Sequence, residues 1–198
     1  LEGDYNNMQT YRKRHLVPFG EFIPFRNSFP PFEWIAGDLI PDDFDAGEEA
    51  GPMKLENKGI EIIPLICFED TVGNLARSTI SSAPQIIVNL TNDGWFGQSE
   101  GSTQHLINAC FRSIELRRPL IRCANTGVSC LIDAQGRRLR EIRDDDSGSH
   151  FVKGFLPLSV EVPIEPEITV YAKVGDLFSM TVFALSALLS LFYYPKAQ

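Results

Sequence analysis

The chain has 198 residues, enough for one domain with a sizeable core, and 43% hydrophobic with 22% charged residues is the composition of an ordinary globular protein. A formal net charge of −8 argues against a nucleic-acid partner, because phosphate binding needs clustered Lys and Arg. The four cysteines, Cys67, Cys110, Cys123 and Cys130, form no C-x-x-C pair, which argues against a zinc site, and at this length a disulfide framework is not expected.

Leu1 is not an initiator methionine, and a polar opening leads straight into a strand-like run, so the chain reads as part of a longer protein. Tyr11 to Val17 is predicted to be a strand, with Tyr11, Lys13, His15 and Val17 on one face and Arg12, Arg14 and Leu16 on the other. Residues 18–56 form a long segment rich in Pro, Phe and acid, of the kind that is functional or mobile in a compact domain. Gly59 to Cys67 is an apolar run typical of a strand covered on both faces. A helix is predicted over Thr71 to Ser81, from the spacing of Val72, Leu75, Ala76, Thr79 and Ile80. Gln85 to Thr91 reads as a strand ending in the loop Asn92-Asp93-Gly94-Trp95-Phe96-Gly97.

A second helix is predicted over Ser102 to Arg117, with Leu106, Cys110, Phe111 and Ile114 on one apolar face and Pro119 as its stop. Strands follow at Leu120 to Ala124, Val128 to Ile132, Arg138 to Ile142 and Leu156 to Val162. This alternation indicates α/β layering. From Leu177 to Tyr194 no residue is charged, and as a helix those residues would cover about 27 Å, close to a bilayer core of about 30 Å. A buried terminal helix would read the same way. The all-round apolar character, with Tyr193, Tyr194 and Lys196 at one end, favours a transmembrane helix over 177–194.

Several residues could carry chemistry. Cys67 falls between a buried strand and a helix, where following backbone N–H groups can face an oxyanion and the helix start favours a thiolate. On position alone, a nucleophile and a buried structural thiol both remain open. Lys13 is the second candidate, against the plainer reading of a surface-strand lysine. Glu21 and Glu69 are carboxylates that could orient Lys13 or keep it charged, and each could equally be solvated. Nothing in the placement of His15, His105 or His150 supports a Cys–His dyad; a hydrogen-bonded packing role fits His15 and His105 better.

Together these segments resemble the apolipoprotein N-acyltransferases, a family within the nitrilase, or carbon-nitrogen hydrolase, superfamily. Tyr11-Arg12-Lys13-Arg14-His15-Leu16-Val17-Pro18-Phe19-Gly20-Glu21 looks like their lysine motif, and Ile66-Cys67-Phe68-Glu69 like their nucleophile motif. Asn92 to Gly97, Gln104-His105, Arg118 to Arg122, Asn125-Thr126-Gly127 and Tyr171 to Asp176 also fit in order and spacing, so the likeness covers nearly the whole chain. The lysine and cysteine motifs are shared with soluble nitrilases and amidases; the wording of residues 15–21 and 92–97, with the terminal helix, is more specific.

The resemblance implies an α-β-β-α sandwich, partial here because its N-terminal strands would be missing. Residues 1–172 would be the C-terminal part of the catalytic domain. It implies a Glu-Lys-Cys triad with Cys67 as nucleophile, Lys13 as its lysine and Glu21 as a supporting glutamate. Glu69, Phe68 and Trp95 are expected to support the site or touch substrate. Phe68 stands where many members carry Tyr. The family's general base lies before the lysine motif; Glu2 and Asp4 precede Tyr11 here but sit in no matching motif, so the chain alone is expected to be inactive.

The implied partners are a phospholipid acyl donor, a diacylglyceryl-modified apolipoprotein acceptor and the bilayer, at the bacterial inner membrane with the catalytic domain on the periplasmic side. No cofactor or metal is implied. The segment Phe29 to Leu39, with apolar Phe29, Phe32, Trp34, Ile35 and Leu39, is expected to be a mobile lid near the lipid entrance or to pack on the domain surface. A soluble-type amidase cutting a C–N bond and a catalytically silent membrane-anchored fragment are the alternative functions.

Overall fold

A computed structural model describes residues 9–48 and 51–193. Glu2, Asp4, Tyr194 and Lys196, which the sequence reading invokes, lie outside the described residues. One mixed sheet of six strands organises the chain, and its spatial order is its chain order: β1 (Met53–Leu55), β2 (Ile60–Ile66), β3 (Gln85–Thr91), β4 (Leu120–Ala124), β5 (Cys130–Ile132) and β6 (Arg138–Glu141). The central β2, β3 and β4 are parallel, and β1, β5 and β6 add antiparallel strands at the flanks. The crossover from β2 to β3 contains α2 (Gly73–Arg77), and that from β3 to β4 contains α3 (Gly101–Leu116).

Register explains the core. Ile63, Ile87, Leu120 and Ile132 lie side by side across β2 to β5, are buried, and pack with Leu106, Ala109 and Leu116 of α3 and Ala76 of α2. Two residues further along the strands, on the same face, the row reads Leu65, Asn89, Arg122 and Cys130. The covered face therefore turns polar as it nears the carboxyl ends of the parallel strands. On the opposite face the last row is Ile66, Leu90 and Cys123, and Leu90 is 56% exposed. The mixed sheet with helices fits the nitrilase-like α/β expectation, but the described residues form a single sheet. The second sheet of an α-β-β-α sandwich is not among them.

Other expectations need correction. Tyr11 to Val17 forms no strand. Its backbone donors are spent elsewhere: the N–H groups of Arg14 and His15 bond the Glu69 carboxylate, while the carbonyl of Lys13 accepts from Gly47. Leu156 to Val162 is also irregular. The helix expected at 71–81 is a 3-10 turn, Cys67–Thr71, followed by the short α2, because Ser78 and Thr79 turn their hydroxyls back onto the carbonyls of Leu75 and Ala76. Within 18–56 the short helix α1 (Pro30–Ala36) forms a satellite cluster in which Ile23, Ala36 and Ile40 are buried against Phe32. Trp34, Ile35 and Leu39 stay outside it, at 82%, 75% and 81% exposure.

After α4 (Val170–Val174), whose N-cap Thr169 accepts from Ala172 N–H at 3.0 Å, α5 runs from Leu177 to Tyr193. Every side chain from Leu177 to Leu191 is exposed. The transmembrane span expected over 177–194 is not met: no helix among the described residues is long and apolar enough to cross a membrane. At 17 residues α5 covers about 26 Å, and its apolar surface is interrupted by Ser179, whose hydroxyl donates to the Asp176 carbonyl just before the helix, and by Thr181 and Ser190, which donate to carbonyls within it.

Candidate active site

Because β2, β3 and β4 are parallel, their carboxyl ends open on the same edge of the sheet, the usual place for a site in an α/β protein. Ile66 and Cys67, Leu90 to Asn92, and Cys123 to Asn125 bring these ends together around an open cleft of about 610 Å³, joined by Lys13, Glu21 and Trp95. The cleft thus unites four of the residues singled out in the sequence: Lys13, Glu21, Cys67 and Trp95. Glu69 and Phe68 lie beside it.

Cys67 is the first residue after β2 and takes a φ of 51°, a left-handed conformation that costs a non-glycine residue about 1–2 kcal/mol. The turn is held by Glu69, whose fully buried carboxylate accepts from Ile66 N–H at 2.7 Å, Arg14 N–H at 2.6 Å, His15 N–H at 3.1 Å and the Tyr11 hydroxyl at 2.8 Å. Burial, with the Glu69 carboxylate adding to it, pushes the Tyr11 phenol up to about 12, so Tyr11 stays a donor. Glu69 does not touch Lys13 among these contacts. It splices residues 11–15 onto the turn that carries Cys67. That splice places Lys13, whose ammonium bonds both oxygens of Glu21 at 2.6 and 2.7 Å; Glu21 is itself fixed by Val17 N–H at 2.8 Å. The Cys67 thiol lies 3.9 Å from the carbonyl of Asn92. Phe68 stacks on His15, with ring centroids 6.0 Å apart, and Trp95 is 75% exposed at the cleft rim.

Beneath this surface is a cluster the sequence reading did not assemble. Arg122 donates to Asp70 Oδ2 at 2.5 Å and to Asp93 Oδ2 at 3.0 Å. His105 bonds Asp93 through Nδ1 at 2.8 Å, and its Nε2 lies 2.8 Å from Asp70 Oδ1 as an ion contact without hydrogen-bond alignment. All four side chains are buried. Burial opposes protonation of His105, but Asp70 and Asp93 overcome it and push the imidazole up to about 9; Asp93 is held below the usual carboxylate range despite its own burial, through His105 and Arg122. Of the apolar face expected on α3, Leu106 is buried and Cys110 packs against the core, but the rest turns outward for this reason. Its buried side carries His105 and Arg112 with Leu106, while Phe111 and Ile114 are 50% and 40% exposed. One signal was present in the sequence: Arg122 sits inside the apolar run Leu120 to Ala124, where an unpaired charge would not be tolerated. The packing expectation for His105 agrees with its position in this cluster.

Gly127, in the loop after β4, closes the cluster from above. Its φ is 104°, and a Cβ there would fall 2.7 Å from Asp93 Oδ2. Asp93 N–H donates to the carbonyl of Thr126 at 3.2 Å, so the loops after β3 and β4 are one packed unit.

Residues 1–149 match the sequence profile of the carbon-nitrogen hydrolases. The chain belongs to the carbon-nitrogen hydrolase family. Within that family it is similar to the apolipoprotein N-acyltransferase of Bradyrhizobium diazoefficiens, 38% identical over 191 residues, which are 96% of this chain and 34% of the relative. The protein of the same name from Rhodopseudomonas palustris is 36% identical over 197 residues, again 96% and 34%. That from Haemophilus influenzae is 35% identical over 192 residues, 97% and 34%. The resemblance to the apolipoprotein N-acyltransferases therefore extends over nearly the whole chain, which spans about a third of the length of these relatives.

The raised value of His105 sets a pH dependence. Its contribution to stability is complete below the unfolded value of about 6.5 and is lost as pH rises through about 9. The stability difference between wild type and His105→Gln, read by denaturant unfolding, is therefore expected to be largest at pH 6 and to narrow steadily to pH 10. A difference that is flat over this range would show that His105 is not charged in the folded protein.

Proposed function

We propose that this chain carries the nucleophile and lysine of an N-acyltransferase. The enzyme moves an acyl chain from phospholipid, through a thioester on Cys67, to the diacylglyceryl-modified N-terminal cysteine of an apolipoprotein. The observation that carries the reading is the meeting of Cys67, Lys13 and Glu21 in one cleft at the sheet's carboxyl edge, in a chain 36% and 38% identical to apolipoprotein N-acyltransferases over nearly its whole length.

In this reading a base takes the Cys67 proton and the thiolate attacks the ester carbonyl of the donor. Lys13 bonds only the two oxygens of Glu21 among the described residues, which leaves one of its three N–H donors for the developing oxyanion. Glu21 aims the ammonium, and the Phe68 backbone N–H is the second donor. The ester C–O bond breaks, the lysophospholipid alkoxide leaves with a proton, and Cys67 holds the acyl group. The acceptor's free α-amine then attacks the thioester and loses a proton. The C–S bond breaks, giving an amide and the regenerated thiol. The base is a glutamate that the resemblance places N-terminal to Tyr11. Trp95, exposed at the rim, offers an apolar surface to the acyl chain.

The exposed apolar helix α5, with Trp34, Ile35 and Leu39 of the 18–56 segment, supports a lipid-facing enzyme. By resemblance this is the bacterial inner membrane, with the catalytic domain on its periplasmic side. Residues 1–172 form the C-terminal part of the catalytic domain and α5 its attachment to the bilayer. An amidase using the same cysteine would have no need of this apolar surface.

Three outcomes test the proposal. In the complete protein given labelled phospholipid, label should appear on Cys67 when Cys110, Cys123 and Cys130 are replaced; label persisting in Cys67→Ala would overturn the thioester. Lys13→Arg, which keeps the charge but substitutes a planar fork for a compact ammonium, should lower kcat by about 10²–10³. A variant within threefold of wild type would make Lys13 structural only. Residues 1–198 alone, reconstituted in phospholipid with a diacylglyceryl-peptide, should give no N-acylated product by mass spectrometry, because general-base catalysis worth about 10²–10⁴ would be lacking.

A further inference from the structure

We propose that the buried cluster of Asp70, Asp93, Arg122 and His105 is a positioning device for the Cys67 nucleophile, fixing both the residue's own carbonyl and the carbonyl that faces its thiol. The inference rests on the reading of Cys67 as nucleophile given above.

Two routes lead from the cluster to Cys67. The first runs through Asn89. Its Nδ2 donates to Asp70 Oδ2 at 2.7 Å and to the Cys67 carbonyl at 3.3 Å, while Asp70 Oδ2 is also held by Arg122. Turning the Asn89 amide over would set its oxygen against the Asp70 carboxylate, so its orientation is determined by the cluster. The second route runs through Asp93, which accepts from Thr91 Oγ1 at 2.9 Å, His105 Nδ1 at 2.8 Å and Arg122 Nη2 at 3.0 Å. The residue before it, Asn92, presents the carbonyl that lies 3.9 Å from Cys67 Sγ, and its side chain caps Gly94 N–H at 3.2 Å. Asp70 belongs to the turn after β2, Asp93 to the turn after β3, Arg122 to β4 and His105 to α3. Arg112 of α3 adds a grip on the same turn, donating to the Asp70 carbonyl at 3.3 Å while paired with Glu115.

Location distinguishes this device from ordinary core stitching. The neighbouring covered row, Ile63, Ile87, Leu120 and Ile132, is wholly apolar. The four charges of the cluster gather where the next row ends beneath the cleft; the buried Arg118, at the other end of β4, spends its guanidinium on backbone carbonyls instead. Buried ion clusters are commonly no more stabilising than apolar packing of the same volume. What apolar side chains could not do there is clamp the carbonyls on both sides of a nucleophile held in a left-handed turn.

The test uses the complete protein in phospholipid vesicles and three variants: Asn89→Ser, which cuts the first route, Thr91→Val, which removes one of the three donors holding Asp93 in the second, both leaving all four charges, and His105→Gln. The rate of Cys67 alkylation by iodoacetamide, read on its peptide by mass spectrometry, is compared with kcat, KM for phospholipid and the melting midpoint. Misplacement of a nucleophile by about 1 Å can cost on the order of 10²-fold in rate, so alkylation rate and kcat should both fall by tenfold or more with KM within threefold. Asn89→Ser and Thr91→Val should remain folded at the assay temperature. Folded variants with wild-type alkylation and kcat would overturn the proposal, as would unfolding of both Asn89→Ser and Thr91→Val, which would make the cluster a stability element. Acyl transfer retained in Cys67→Ala would instead overturn the nucleophile reading itself. A dead Cys67→Ala beside fully active Asn89→Ser would remove only the positioning role.

Discussion

Two carboxylates and two cations, shut away from water where three parallel strands end, are the constraint on which the architecture around the cleft depends. Asp70, Asp93, Arg122 and His105 come from four different elements, so their mutual contacts fix the spacing of the turns after β2 and β3 against β4 and α3. Each charge is tolerable only because the others are present. Removing one member of such a buried set typically costs about 3–5 kcal/mol, since an uncompensated charge is left behind. Gly127 shows how tightly the group is enclosed, because no side chain fits between it and Asp93.

Two glutamates that look alike in the sequence do different work. Glu21 is partly open to the cleft and spends both oxygens on Lys13 and one also on the Val17 N–H. Glu69, fully buried, spends its oxygens on backbone N–H groups and the Tyr11 hydroxyl. One carboxylate tunes a side chain, and the other substitutes for a strand partner. Residues 11–15 need no sheet to hold them, because a buried carboxylate takes their hydrogen bonds.

This exchange explains what could and could not be read from the sequence. β3 and β4 were legible to the residue, because short, mostly apolar runs bounded by polar and turn residues leave no other placement, and β2 nearly so. The Tyr11 to Val17 strand was not, since alternation of side chains says nothing about who receives the backbone N–H groups. The extent of α3 was visible, but its orientation was not: hydrophobic periodicity pointed to Phe111 and Ile114, and the helix turned instead to bury His105 and Arg112. The cleft residues Cys67, Lys13, Glu21 and Trp95 were recognisable by motif. Asn89, Asp70, Asp93 and Arg122 escaped because their meaning lies in contacts 19 to 52 residues apart in the chain, which no local pattern records.

The left-handed backbone of Cys67 has a consequence for how this protein could change over time. Glycine adopts such a conformation without steric cost. A glycine at this position would relax the turn while deleting the sulfur, so the fold and the proposed chemistry favour opposite residues at one site. A lineage released from the need for activity would drift towards a quieter, sturdier turn here. On the proposed reading of Cys67 as nucleophile, a thiol on this strained backbone exchanges rigidity for reactivity.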